Sequence, residues 1–376
     1  MKKIHYLFAS LILTGCLASC SDHNDEPNIG HGTASTGFYI INNGNMGAQI
    51  ASSITAYDYS SGMSTSALQD AFKAANGCLL GEGAQPAIIY GSKMYIPMHD
   101  SNLIWVVRAD NLEIIKMIRP EGEAQSPRYL TSHKGKVYAS MNSGYVCCID
   151  TLTLEIEKSM KTGPNPDQMT VADGKLYVAN SDGYNWDEKN PYANGSISII
   201  DLATWHETKI KDISKVLNPT DLATNGKDVF VICKGNYGDI PSTVKKIVGN
   251  DVVDIAQGHY MAVHKDKLYV INAPFGTDRN DMTFTAYNTS SLKAEGEFVQ
   301  QSPDSKSWIE SPCGVSIDPV SGDIVILSYT TSEAGYTQYK EPCYANIYSP
   351  SGVFSKRVEC GVGSVGVTFI CNTTDK

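Results

Sequence analysis

Residues 165–180 read NPDQMTVADGKLYVAN, and after a polar stretch residues 196–202 read SISIIDL. An apolar run from Met169 to Ala172, a tight turn at Asp173-Gly174 and a second run from Leu176 to Ala179 predict two antiparallel strands joined by a hairpin. A third run, Ile197 to Ile200, and a fourth, His206 to Ile210, complete a four-stranded unit. Its second strand recurs, centred on Phe38-Tyr39-Ile40, Met94-Tyr95-Ile96, Val137-Tyr138-Ala139, Leu176-Tyr177-Val178, Val229-Phe230-Val231, Leu268-Tyr269-Val270 and Ile324-Val325-Ile326. A spacing of roughly forty to fifty-five residues is the period of four-stranded propeller blades. Each copy but the first follows an opening strand that begins on a turn signal: Gln85-Pro86, Ser126-Pro127, Asn165-Pro166, Asn218-Pro219, Gly258-His259 and Ser311-Pro312. The opening strand that the first copy lacks is found at the other end of the chain, from Gly363 to Ile370. The expectation is an all-β fold, a seven-bladed β-propeller over residues 37–376, closed by pairing of the N- and C-terminal strands.

Composition agrees. Thirty-two glycines, 21 tyrosines and a charged fraction of 19% suit a turn-rich β chain, and no Pro/Gly/Ser-rich linker divides it. A formal charge of −10, with no basic run beyond Lys2-Lys3, leaves no electrostatic footprint for nucleic acid.

The first twenty residues read as processing information. Lys2-Lys3 is followed by an apolar core from Tyr6 to Leu13, and then by Leu17-Ala18-Ser19-Cys20, which resembles the lipobox of bacterial lipoproteins. On that reading residues 1–19 are a signal peptide, Cys20 carries the lipid and residues 20–36 are a flexible tether; the alternative is an ordinary signal peptide cut near Ala18. Ser21-Asp22-His23-Asn24-Asp25-Glu26 resembles the acidic signal that sends lipoproteins of Bacteroidota to the exterior of the outer membrane. Otherwise it is a solvated linker. No other stretch is apolar enough to span a bilayer, so the lipid is the expected anchor.

Eight cysteines follow the leader. Strand register sets Cys343 nearly opposite Cys360, with Cys313 as a rival partner for a disulfide, while adjacent Cys147 and Cys148 point to opposite strand faces and read as small apolar groups. No spacing suggests zinc, and no metal site is expected.

The loops between second and third strands differ around the ring. They are short in blades two (His99 to Asn102) and three (Asn142 to Tyr145). They lengthen and gain aromatics in blade four (Tyr184, Trp186, Tyr192), blade five (Tyr237), blade six (Phe275) and blade seven (Tyr336, Tyr339, Tyr344). These loops share a rim with the opening turns, whose next residues form a ring: Ala87, Arg128, Asp167, Thr220, His259, Cys313 and Val365. A hydrogen-bonding floor beneath aromatic walls is what a large amphipathic planar ligand needs. The candidate ligand-binding residues are therefore Arg128, Asp167, Tyr184, Trp186, Asp221, Tyr237, His259, Tyr260, Phe275 and Tyr336. The competing reading is that Arg128 and Asp167 pair to seal the channel. Without a Gly-x-Ser-x-Gly elbow or a Walker loop, no enzyme and no cofactor are expected; a lone His259 beside an Asp is what a hydrolase would use. Asp182, Asp187 and Glu188 read either as a calcium loop or as a solvated acidic one.

The Asn-Pro opening, Gly174-Lys175-Leu176-Tyr177-Val178 and the run from Ser196 to Thr204 resemble the repeats of YncE-like propellers. Together with the lipobox, the acidic tether and the segment from Phe72 to Gly77, they make the whole chain resemble the BtuG type of Bacteroidota surface lipoprotein. That resemblance implies binding of vitamin B12 (cobalamin) and related corrinoids and delivery to a TonB-dependent outer-membrane transporter. The alternative is an accessory propeller that takes another ligand, a glycan or a protein, or a lactonase-type hydrolase. Asp150-Thr151-Leu152 also resembles the short O-glycosylation signal of the same bacteria.

Overall fold

The computed structural model of the chain describes residues 34–61, 67–183, 192–276, 279–303 and 305–371. Among these residues, six four-stranded antiparallel sheets and one three-stranded sheet form the seven blades of a β-propeller. The leader, with Cys20, lies outside the described residues. No helix among those described is long and apolar enough to cross a membrane.

The second strands are continuously apolar because each is buried on both faces. Phe38, Tyr39, Ile40 and Ile41 are all buried. Phe38 and Ile40 pack with Val325, Leu327 and Ile347 of blade seven, while Tyr39 and Ile41 pack with Met94, Ile96 and Met98 of blade two. Side-chain alternation along a strand sends successive residues to opposite neighbours, so both must be apolar. Each large side chain buried this way contributes about 1.5–3 kcal/mol. The same alternation places Cys147 between blades two and three and Cys148 between blades three and four, as the sequence required.

Blade four shows the hairpin chemistry. Asp173 (φ 47°) and Gly174 (φ 69°) are both left-handed, the pattern of a two-residue type I′ turn, and Met169 pairs with Val178 and Leu176 with Ile200.

Closure follows the expected route. Ser364–Cys371 pairs antiparallel with Ser35–Asn42, setting Phe38 opposite Phe369 and Tyr39 opposite Thr368; Ser53–Asp58 lies on the other side. Among the described residues the outer position of this blade holds a single bridge, in which Ala56 and Leu68 exchange backbone hydrogen bonds of 2.9 Å. A short helix follows from Ala71 to Asn76, before its Gly77 cap.

Cys343 faces the segment that carries Cys360, since Tyr344 pairs with Glu359 and Pro342 with Val362. All eight described cysteines are free thiols. A hydrogen bond from Cys313 is the main cause that draws the Cys343 thiol down to about 6. One expectation is corrected: the Thr151 hydroxyl is buried and donates to the Gly135 carbonyl at 2.9 Å, so it is not presented to a glycosyl donor.

Candidate ligand-binding cavity

The opening turns make the site. Ser126, Asn165 and Asn218, each preceding a proline, adopt positive φ (60°, 47° and 52°), a conformation that Asn accepts at lower cost than most residues. Immediately after the proline, the ladder slips. Arg128 and Tyr129 fall between the pairs Pro127–Met141 and Leu130–Ala139, and Asp167 and Gln168 between Pro166–Asn180 and Met169–Val178. Thr220 and Cys313 are extra residues at the equivalent places in blades five and seven. A β-bulge re-aims the residues it frees, and in blades three, four, five and seven the slip after the opening proline turns them into one shared space.

These residues line a cavity of roughly 1400 Å³. It brings together eight candidates from the sequence: Arg128, Asp167, Asp221, Tyr237, His259, Tyr260, Phe275 and Tyr336. Tyr184 and Trp186, like Asp187 and Glu188 of the proposed calcium loop, lie outside the described residues. The described Asp182 instead accepts the Asn194 backbone N–H at 2.9 Å. Among the described residues no cluster of three or more His, Cys, Asp or Glu is arranged to hold a metal ion.

The floor is a charged, hydrogen-bonded arc. Arg128 Nε lies 3.2 Å from Asp167 Oδ1, so the pairing anticipated as a channel seal is present, yet the cavity stays open above it. Burial pushes the Asp167 carboxyl up to about 7, against the pull of Arg128, and the negative charge of Asp221 adds to the rise. Asp221 accepts the Thr220 hydroxyl at 2.6 Å and stands 3.6 Å from Lys234 Nζ. Lys234 in turn donates to the His259 carbonyl at 2.6 Å and lies 5.2 Å from the centre of the Tyr260 ring. Burial, helped by Lys234, draws the His259 imidazole down to about 4, and its Nδ1 sits 3.1 Å from Asn272 Oδ1 and 3.3 Å from the Ala273 N–H. The ring is neutral near pH 7.

The wall is aromatic on one side. Tyr237, Phe275 and Tyr336 are 74%, 96% and 74% exposed, so none of the three serves the core. Tyr192 packs edge-on against Tyr237, and Tyr339 packs edge-on against Tyr329. Tyr344 does not belong with them: it is buried in blade seven beneath Arg357, and its hydroxyl accepts the Glu310 N–H at 2.9 Å.

Among the lining residues that were not singled out from the sequence are Lys234, Arg279, Trp308 and Glu310. Lys234 directly follows a second strand and stands two residues before Asn236, and Trp308 and Glu310 directly precede the Ser311-Pro312 opening. Position relative to the repeat was the available signal; residue type was not. A smaller hollow of about 410 Å³, lined by Gln300, Gln301, Ser302, Ser305, Lys306, Ser307, Val353 and Phe354, collects serines and one lysine, with Phe354 as the aromatic in its lining.

Residues 36–189 match DUF5074, a domain of unknown function. No curated protein sequence matches the chain. Several solved structures are similar to it in fold. A hypothetical selenium-binding protein from Sulfolobus tokodaii has a TM-score of 0.63 at 13% identity, covering 93% of this chain and 97% of its own. Hydrazine synthase from Kuenenia stuttgartiensis gives 0.57 at 15% identity, over 78% of this chain and 96% of its own. The Pan2 WD40 domain from Neurospora crassa gives 0.54 at 9% identity, over 78% and 83%. At such identities the likeness is one of architecture, and the chain is a seven-bladed propeller with DUF5074 sequence character in its first half.

Proposed function

We propose that this protein binds a large planar ligand of the corrinoid class in the axial cavity and hands it to a TonB-dependent outer-membrane transporter, acting from a lipid-anchored position on the cell exterior. One observation carries the reading: three exposed aromatic rings stand over a floor of paired charges and hydrogen-bonding groups in a space of roughly 1400 Å³. That exceeds the roughly 300–1000 Å³ typical of pockets for drug-sized molecules. A corrin ring offers an apolar plane for Tyr237 and Phe275, and its fringe of amides offers donors and acceptors to Arg128, Asp167 and Asp221. Aromatic side chains supply that contact area with little loss of rotamer freedom.

A hydrolase is the weaker reading. The His259 ring is hydrogen-bonded to Asn272 and the Ala273 N–H, and among the described residues no carboxylate orients it as the acid of a His–Asp pair would. The test is calorimetric and spectroscopic titration of protein beginning after Cys20 with cyanocobalamin. Binding at micromolar ligand or below is expected. Silence in both measurements would overturn the corrinoid reading, and lactone hydrolysis abolished by His259→Ala would replace it with an enzyme.

A further inference from the structure

Three cations line the cavity, and their situations differ. Arg128 faces Asp167 and Lys234 faces Asp221. Arg279 has no carboxylate within ion-pair distance among the described residues. Its Nε donates to the Ile309 carbonyl and its Nη2 to Gln301 Oε1. Its guanidinium carbon lies 4.0 Å from the centre of the Trp308 ring and 5.0 Å from that of Phe284. Two aromatic faces and two acceptors on one edge hold the guanidinium plane in place, and the Nη1 hydrogens have no acceptor among the described residues. A guanidinium stays charged in a protein, and its planar fork matches an oxyanion.

The surroundings favour such a guest. The whole chain carries a formal charge of −10, which repels anions at large. The cavity is the exception, because its three cations stand against Asp167, Asp221 and Glu310, and Glu310 is engaged by the Thr331 N–H and hydroxyl at 3.0 Å. An anion near Arg279 therefore meets a fixed positive charge that forms no ion pair among the described residues, on a wall that also carries Phe275 and Tyr336.

We propose that Arg279 is a specificity-determining anchor for one oxyanionic group of the ligand, a phosphodiester. The assignment to a corrinoid rests on the function proposed above: the ring fringe of cobalamin is neutral amide, and its single phosphodiester lies in the nucleotide tail. Arg279 then distinguishes the tailed ligand from the tail-less one.

The experiment compares cyanocobalamin with dicyanocobinamide, which lacks the nucleotide tail, on the full chain, on Arg279→Gln and on Arg279→Lys, with thermal unfolding as the check on folding. The wild-type chain is expected to bind cyanocobalamin at least about tenfold more tightly. Arg279→Gln should remove that advantage and leave cobinamide affinity unchanged, and Arg279→Lys should restore part of it. Equal loss for both ligands, or no change for either, would overturn the anchor. If the wild type binds neither corrinoid, the ligand reading fails, and dimethyl phosphate observed by phosphorus NMR decides the anchor alone. Line broadening that disappears in Arg279→Gln sustains it, and absence of broadening in the wild type ends it.

Discussion

Blades two and three and blades five to seven stand on the same second strand, yet they meet the cavity differently. On the low side the polar groups satisfy one another. Asn102 Nδ2 donates to the Gln125 side chain, its Oδ1 accepts the Ser126 N–H at 2.7 Å, and Ser143 Oγ accepts the Gln125 N–H at 2.8 Å. On the tall side Tyr237, Phe275 and Tyr336 turn large apolar faces to solvent. The scaffold is the repeated part, and the proposed recognition resides in what interrupts the repeat. Exposed rings held over a polar floor are what a soluble chain retains when contact with something else offsets their hydration cost.

The comparison can be broken or sharpened by experiment. Deletion of residues 364–371 removes the closing strand and exposes the Phe38 edge; loss of a single cooperative thermal transition is the expected result, and a variant that still melts sharply would deny the closure its role. Next in size, Phe38→Ala should lower stability by about 3–5 kcal/mol, because the ring is fully buried, whereas Phe275→Ala should stay within about 0.5 kcal/mol, both read by chemical denaturation. The combined change Tyr237→Ala and Phe275→Ala should weaken cyanocobalamin binding by more than about 1 kcal/mol, while Ser143→Ala on the low side leaves it unaltered. Equal effects on both sides would remove the asymmetry from the explanation.

A further expected effect is a change of slope. Asp167 holds its proton up to about pH 7 in the fold, against an ordinary value of 3.8, so its contribution to stability is full below about pH 4 and is lost as pH rises through 7. His259 titrates near 4 in the fold, against 6.5, so its contribution is full above about 6.5 and is lost as pH falls through 4. The two oppose each other over the same window. Asp167→Asn should leave stability rising more steeply with pH between about 4 and 6.5, and His259→Gln should leave it falling; parallel profiles for both variants would contradict the assignment.

The fold was legible because second strands such as Met94 to Met98 and Val137 to Met141 are packed between neighbours and admit little but apolar residues. The floor was legible for a related reason: a proline that cannot donate to the ladder marks the place where pairing slips, and the next residue turns to the axis, as Arg128 and Asp167 do. The pairing of Arg279 with Trp308 could not be found that way. Their stacking depends on how the loop around Arg279 lies against the segment before Ser311, a contact between two irregular stretches that no periodicity records. Tyr344 misled for the opposite reason. It follows two tyrosines of the rim in sequence, but it already belongs to the strand Pro342–Tyr348 and turns inward.

The closing sheet also gives the disc a top and a bottom. Ser364, at one end of that sheet, lines the cavity and hydrogen-bonds to Asn42, whereas Ser35, at the other end, pairs with Cys371, about 25 Å away along the strand. The first strand therefore begins on the face away from the cavity. On the lipid-anchored reading proposed above, bowl and anchor would stand on opposite faces, with the whole thickness of the protein between them.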